Sequence, residues 1–409
     1  MKIIIAGGGI GGLTAALLLH KAGVEVKVFE SVKNIKPLGV GINLLPHSVI
    51  VLNELNLISK LQPIAVSAKA LLYYNKFGQK FWEEPRGMYA GYKVPQFSVH
   101  RGKFQQLLFE EAKAIIGEEN ILTNHHLQSF KEEDDKVVAG FIDHASGEIV
   151  YEETGDALIG ADGIHSVVRK YFYPNEGEPK FTGITLWRAV SEAAPYLLKS
   201  SMVMIGNTTQ KFVAYPIRET ETASTINWIA EIKNENNTAP PKRDWNKKVD
   251  KEIFLPAFAS WNYDWLDVPA LIEAATEVYE FPMIDRDPLP QWTFGHISLL
   301  GDAAHPMYPI GSNGASQAIL DAKALADSIA SNKNIQQALM EYEQQRREPT
   351  SKIVLTNREN GPDKIMEIME QRAPDGFAEL NDVITHEELE TIANQYKKIA
   401  GFEKQTVNK

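Results

Sequence analysis

The chain has 409 residues, ordinary apolar and charged content, a formal net charge of −11 and no cysteine. Its length supports two or three domains with real cores, and its acidity argues against a nucleic-acid partner and mildly against an anionic membrane surface. The lack of cysteine excludes disulfides, thiolate metal sites, iron–sulfur clusters and a catalytic thiol.

Residues 2–6 read as a buried strand, followed by Gly7-Gly8-Gly9-Ile10-Gly11-Gly12, an apolar helix over 13–22, a stop at Gly23 and a second strand ending at Glu30. This is one βαβ unit. No apolar leader precedes the first strand and no run has the length of a membrane span, so the expectation is a cytoplasmic protein. A glycine-rich loop at 35–43 leads to a helix reaching about residue 61. Residues 68–100 alternate around Tyr73, Tyr74, Phe81 and Trp82 as hairpin material. His100-Arg101 opens a helix to Ile116, and strand-like pieces fill 121–161. From about 180 to 285 the stretches 184–190, 212–216 and 225–232 alternate and carry aromatics, the pattern of a mainly antiparallel sheet. Residues 234–242 read as loop and 250–277 as helix. A strand at 297–300 returns the chain to the first domain. Helices follow at about 315–331 and 336–356, and the charged tail, 362–409, reads as helical.

Three motifs carry chemistry. Gly7-x-Gly9-x-x-Gly12 lies between strand and helix, with Glu30 eighteen residues beyond it. The first glycine makes the tight turn, the second lets backbone approach a pyrophosphate, and the third lets helix pack on strand. The helix start adds N–H groups and the positive dipole end, and Glu30 can accept from ribose hydroxyls. Gly7, Gly9, Ile10, Gly11, Gly12 and Glu30 are therefore candidates for a dinucleotide, either FAD or NAD(P). The second motif, Gly160-Ala161-Asp162-Gly163, is a strand, a turn and a helix start, with Asp162 either a cap or a ligand. The third, GDAAHPMYPIGSNGASQAILDA from Gly301 to Ala322, puts a carboxylate and two prolines between a strand and a helix opening near Gly314. A carboxylate at a strand's C-terminal edge suits sugar or ribityl hydroxyls. The N–H groups of 311–314 suit a ring that turns negative on reduction. The alternative is a capped turn. His125-His126 is an adjacent pair whose side chains leave opposite faces of a strand, so no shared metal is expected.

The three motifs, in this order and spacing, resemble the class A flavoprotein monooxygenases, the single-component aromatic hydroxylases related to para-hydroxybenzoate and salicylate hydroxylases, over about residues 1–355. Five longer strings resemble the phenazine monooxygenase branch of pyocyanin biosynthesis. They are Pro37-Leu38-Gly39-Val40-Gly41-Ile42-Asn43, Glu84-Pro85-Arg86-Gly87, Ser98-Val99-His100-Arg101-Gly102, Gly183-Ile184-Thr185-Leu186-Trp187-Arg188 and Asp285-Arg286-Asp287-Pro288-Leu289-Pro290. The resemblance implies an α/β fold. A Rossmann-like FAD-binding domain would come from 1–70, 101–180 and 286–355. An inserted, mainly antiparallel substrate domain would come from 71–100 and 181–285, and a helical segment from 356–409.

The resemblance also implies that FAD is held by the first glycine motif, Glu30, Gly41, Arg101, Asp162, Gly163 and Asp302, with Pro309, Gly311, Asn313 and Gly314 against the isoalloxazine. NADH or NADPH would be a transient co-substrate, since no second glycine motif follows a strand. Oxygen from O2 would pass, through a flavin C4a-hydroperoxide, to a planar aromatic or heteroaromatic ring, phenazine-like carboxylates among them. No catalytic proton-transfer residue is assigned, and no metal is expected. The substrate-lining candidates are His47, Trp187, Arg188, Tyr215, Trp228 and Tyr308. Arg188 could pair a carboxylate bidentately. An aromatic stripe in a strand is as readily core as pocket. His305 belongs with the flavin motif rather than with acid–base catalysis. Competing readings are an epoxidase, an antibiotic-inactivating hydroxylase or a reductase on the same fold, and a flavin-binding protein without turnover. A monomer or homodimer is expected, with no nucleic acid or membrane partner.

Overall fold

The computed structural model describes residues 1–35, 40–143, 145–234 and 247–409. Pro37-Leu38-Gly39 and most of the loop expected at 234–242 lie outside these residues. The strand Lys2–Ala6 is the centre of the first layer because its three isoleucines, Ile3, Ile4 and Ile5, are wholly enclosed. It pairs in parallel with Glu25–Glu30 on one side and Ala157–Gly160 on the other. Ile297–Leu299 and Ile121–Thr123 extend the sheet in parallel, and Thr293–Phe294 adds one antiparallel edge, making six strands. The helix Ile10–Lys21 lies between Arg101–Ile116 and Gly314–Ser331. A three-stranded antiparallel sheet, His126–Glu133, Lys136–Ile142 and Ile149–Gly155, also packs on this layer. The parallel strands end together at Gly7, Glu30, Ala161 and Leu300, the edge at which ligands gather in open α/β sheets.

The second layer is a seven-stranded sheet. Its order is Tyr279–Asp285, Lys180–Ala193, Ser224–Lys233, Gln210–Glu219, Met202–Gly206, Ala70–Tyr74 and Lys80–Pro85. All neighbours are antiparallel except Met202–Gly206 with Ala70–Tyr74. Alternation sorts its side chains. Trp187, Phe212 and Trp228 face a core closed by Phe254, Phe258 and Trp261, while Leu186, Val213 and Ile229 face the first layer and the C-terminal helices.

One expectation changes. Residues 250–277 are not one helix. They form the short turns Lys251–Ile253 and Leu255–Phe258, the small hairpin Asn262–Tyr263 with Leu266–Asp267, and the helix Val268–Glu273. Pro256 and Pro269 each fix a new first turn, and Asp267 caps the last through Ala270 N–H at 2.9 Å. The tail is helical as expected, and it packs into the body of the molecule. Lys364–Arg372 and His386–Ala400 bury Ile365, Met366, Met369 and Leu389 against the inner face of the second sheet. No helix among the described residues is long and apolar enough to cross a membrane.

Candidate active site

Two cavities meet at the edge of the parallel sheet. The smaller, about 510 Å³, is bounded by Gly7, Glu30 and Gln105; the larger, about 730 Å³, runs beneath the second sheet. Gly9, Arg101, Asp162 and Gly163 form their shared wall.

The glycine turn is built as a cradle for a phosphate-bearing ligand. Gly7 has φ +114°, and a Cβ there would sit 2.3 Å from Ala161 O. A Cβ on Gly12 would sit 2.0 Å from Gly7 O, so strand and helix touch through backbone. Gly9 faces open space, with nothing within 4 Å of a Cβ position. Glu30 borders the smaller cavity, where it accepts from Gly8 N–H at 2.7 Å and Val32 N–H at 2.9 Å. Asp162 accepts from Val167 N–H at 2.7 Å through one oxygen. Its other oxygen, Oδ1, is buried with no partner among the described residues, and burial pushes this carboxyl up. Such an orphaned acceptor beside open backbone fits the ribose, ribityl and phosphate groups of FAD.

Arg101 stands at the N-terminus of Arg101–Ile116, lines both cavities and has no ion pair among the described residues. Asp302 opens onto the larger cavity while protein encloses it on its other sides. Burial pushes its carboxyl up, against the pull of His305 and Arg101. Behind it, His305 Nε2 lies 2.5 Å from Asp321 Oδ2, Gly301 N–H donates to the same oxygen at 3.1 Å, and Arg346 Nε donates to Oδ1 at 2.7 Å. Burial alone would raise Asp321, but His305 and Arg346 hold it at about 2.

The loop before Gly314–Ser331 is pinned from the tail. Gly311 has φ +71°, and a Cβ on it would sit 2.2 Å from the Tyr396 hydroxyl. Asn313 Nδ2 donates to that hydroxyl at 2.6 Å, and the hydroxyl donates to Asn357 Oδ1 at 2.9 Å. Asn357 Nδ2 in turn lies 3.3 Å from Tyr308 O and from Ile310 O. The loop backbone is held by residues that sequence reasoning left in an unassigned tail. Ile10, Gly11, Gly41, Pro309, Gly311, Asn313 and Gly314 all border the larger cavity; Gly12 serves the packing of helix on strand instead.

Of the substrate-lining candidates, the structure brings Arg188 and Tyr215 to the cavity. Arg188 donates to Gly41 O at 3.0 Å and lies over the Phe281 ring at 5.9 Å. Its Nε is buried without a partner among the described residues. Burial and then the nearby Tyr215 and Arg101 act on it, with a net downward push on the guanidinium. Trp187 and Trp228 are corrected to core. They lie one residue out of register with the lining positions Leu186, Arg188 and Ile229, so they leave the other face. Trp187 stacks on Phe254 at 4.7 Å, and Trp228 Nε1 donates to Ser191 Oγ at 2.9 Å. Tyr308 is also corrected: it turns to Asp285 rather than the cavity. His47 lies behind the wall, 3.4 Å from Gln317 Nε2 and beside Phe402. Burial, with Arg346 nearby, pushes its imidazole down to about 3, so it is neutral.

Sequence reasoning missed the charges inside the larger cavity. Lys211 and Glu231 are cross-strand partners at 2.9 Å, and Asp363 from the tail closes on the same ammonium. Burial would lower Lys211, but Asp363 and Glu231 raise it. Lys211 and Glu231, each next to an apolar run (212–217 and 228–230), were the available signal.

A parallel nucleotide sheet with this turn, sharing one cavity with an antiparallel sheet, is the architecture of the class A flavoprotein monooxygenases. The chain belongs to the family described as FAD binding domain, whose model matches residues 1–357. It is 39% identical over 362 residues to phenazine 1,6-dicarboxylic acid hydroxylase PhzS of Lysobacter antibioticus, covering 87% of this chain and 89% of that protein. It is 30% identical over 378 residues to 6-hydroxynicotinate 3-monooxygenase of Bordetella bronchiseptica, covering 88% and 91%. In fold it resembles Klebsiella pneumoniae HpxO complexed with FAD and uric acid, with a TM-score of 0.74, 20% identity and 100% and 96% coverage.

Proposed function

We propose that this chain is an FAD-dependent monooxygenase that hydroxylates a planar aromatic or heteroaromatic acid, consuming O2 and NADH or NADPH. One observation carries the substrate class. Arg188 is a cation without a carboxylate partner, walled by Leu186, Val213, Met204 and Phe281, in a cavity continuous with the dinucleotide cradle. An uncompensated cation in such surroundings favours an anionic ligand, and a guanidinium favours a carboxylate. The relatives named for a phenazine dicarboxylic acid and for 6-hydroxynicotinate support the same class.

The division of labour follows from placement. Gly7, Gly9 and Glu30 would hold the adenosine and pyrophosphate end, with Gly12 packing the helix on the strand behind them, while Arg101, Asp162 and Asp302 would hold the ribityl–phosphate middle. Pro309 and the backbone of Gly311, Asn313 and Gly314, which line the larger cavity, would hold the ring. FAD, when bound, supplies hydride acceptance from NAD(P)H and activation of O2. The start of Gly314–Ser331 presents N–H groups and its positive dipole end to whatever negative charge develops on that ring. Arg188 and Tyr215 orient the substrate acid, and the apolar residues around them keep water from the reacting centre. The first layer, with 1–70, 101–180 and 286–355, is the cofactor domain; 71–100 with 181–285 forms the substrate domain, and 356–409 closes the cavity between them.

The purified protein should show flavin absorbance, and an aromatic carboxylate should accelerate its oxidation of NADH or NADPH. Flavin bands with oxidation that no aromatic acid accelerates would contradict the reading.

A further inference from the structure

Asp363 is a carboxylate that the fold places without using both of its oxygens. It occupies the cap position of Lys364–Arg372, where an aspartate ordinarily accepts from the first helical N–H groups, yet it makes no cap hydrogen bond. Its side chain turns instead to the larger cavity, which it lines. There Oδ2 meets the Lys211 ammonium. Oδ1, on a residue only 3% exposed, is buried without a partner among the described residues. A buried carboxylate oxygen left without a donor costs free energy. The cations nearby are engaged elsewhere: Lys211 is shared between Oδ2 and Glu231, and Lys397 and Arg86 pair with Glu84. Position narrows what could meet this oxygen. The turn Gly361–Asp363 packs against Ile310–Ser312, so Asp363 stands beside the ring end of the cofactor cradle. On the sheet, Leu186, Glu231 and Lys211 are cross-strand neighbours, as are Arg188, Ile229 and Val213. Lys211 is thus two strands and two residues from Arg188, about 12 Å between Cα positions, and both line the cavity.

We propose that Asp363 is a specificity-determining residue whose Oδ1 accepts from a hydrogen-bond donor, a hydroxyl or a ring N–H, on the part of the substrate away from the acid held by Arg188. The inference rests on the aromatic-acid reading and deepens it: the ring is selected by what it donates as well as by its carboxylate. Lys211 is the positioning residue, because its hold on Oδ2 aims Oδ1. A hydroxyl or N–H that donates to a carboxylate is polarised and returns electron density to its ring, which favours attack by that ring on an electrophilic oxygen.

The test uses the holoenzyme and three ligands: a naphthoate with a hydroxyl on its far ring, the methyl ether of that hydroxyl, and the naphthoate with neither. Binding is followed through flavin absorbance. The wild type is expected to bind the hydroxy acid roughly tenfold or more tightly than the other two, the value of a hydrogen bond to a charged group. Asp363→Asn should reverse the order of hydroxy acid and ether, because the amide oxygen stays on the Lys211 ammonium and the amide N–H groups then face the cavity. Glu231→Gln disturbs the same ammonium but keeps Asp363 Oδ1, so the wild-type order should hold. A role confined to charge balance around Lys211 would move both variants alike, and that result overturns the assignment. So do equal affinities for hydroxy acid and ether in the wild type, or the wild-type order kept in Asp363→Asn; either leaves the aromatic-acid reading standing. If none of the three ligands perturbs the flavin, both readings fall. Should Asp363→Asn not fold, Asp363→Ser, which removes the carboxylate and adds no bulk, must abolish the preference, and its survival overturns the proposal.

Discussion

The two ends of the ligand space are made of different material. The dinucleotide end is largely backbone: Gly7, Gly9 and the loop at 311–314, set at the converging ends of parallel strands, with Gly12 packing helix on strand behind the turn. The other end is side chains on one face of an antiparallel sheet, closed by the tail. Backbone geometry dictates residue type, because a Cβ at Gly12 has nowhere to go. A sheet face dictates only which positions point inward. On the proposed function, cofactor fidelity would reside in the first end and substrate choice in the second.

The sharpest way to break this comparison is Gly12→Ala. Its Cβ would fall 2.0 Å from Gly7 O, a backbone atom that cannot swing aside. The expected result is protein recovered without flavin, with FAD affinity lowered roughly a hundredfold or more, since overpacking of this severity costs several kcal/mol. The ratio of visible to ultraviolet absorbance and a reconstitution titration check it. Arg188→Gln tests the opposite end. Flavin content should hold while the Kd of an aromatic carboxylate rises roughly ten- to a hundredfold, and a neutral amide analogue should lose little. A fall in flavin content with unchanged carboxylate binding would reverse the assignment of the two ends.

Tyr396→Phe probes the join between them, because the hydroxyl links Asn313 to Asn357. A cost of about 1–2 kcal/mol is expected in denaturant unfolding. A larger share of reduced-nucleotide oxidation should also end as hydrogen peroxide, measured by peroxide assay, because the loop at the ring is less firmly held. At neutral pH the smallest effect belongs to His47, whose contribution changes only in acid. Its pKa is lowered from 6.5 to about 3 in the folded state, so the unfolded chain takes up the proton first. Its contribution is intact above 6.5 and is lost as pH falls from there toward 3, by at most about 1.4 kcal/mol per unit. His47→Gln should flatten that slope in urea titrations and change nothing above neutrality.

The same contrast explains how much the sequence disclosed. The glycine spacing, Glu30 and the Gly301-Asp302 edge are local patterns, and each sits at a strand end where the parallel sheet needs it. On the second sheet, alternation is visible in the string Leu186-Trp187-Arg188, but the side that faces the cavity is set by distant packing, and one residue of offset exchanges the two faces. Trp187 and Trp228 were lost to the core in that way, while Arg188 was not. The tail's contribution was invisible because Tyr396 meets Asn313 across 83 residues of chain. The helical expectation for 250–277 yielded to Pro256 and Pro269, whose first-turn preference was present in the sequence and outweighed by periodicity.

The central claim is that a flavin and an aromatic acid share one cavity and that oxygen passes between them there. Turnover under isotopically labelled dioxygen, with an aromatic carboxylate that accelerates reduced-nucleotide oxidation, tests it most directly. The account predicts one labelled oxygen atom in the hydroxylated product, in amounts matching the nucleotide consumed. Oxidation that leaves the aromatic acid unlabelled and returns the oxygen as hydrogen peroxide would contradict it.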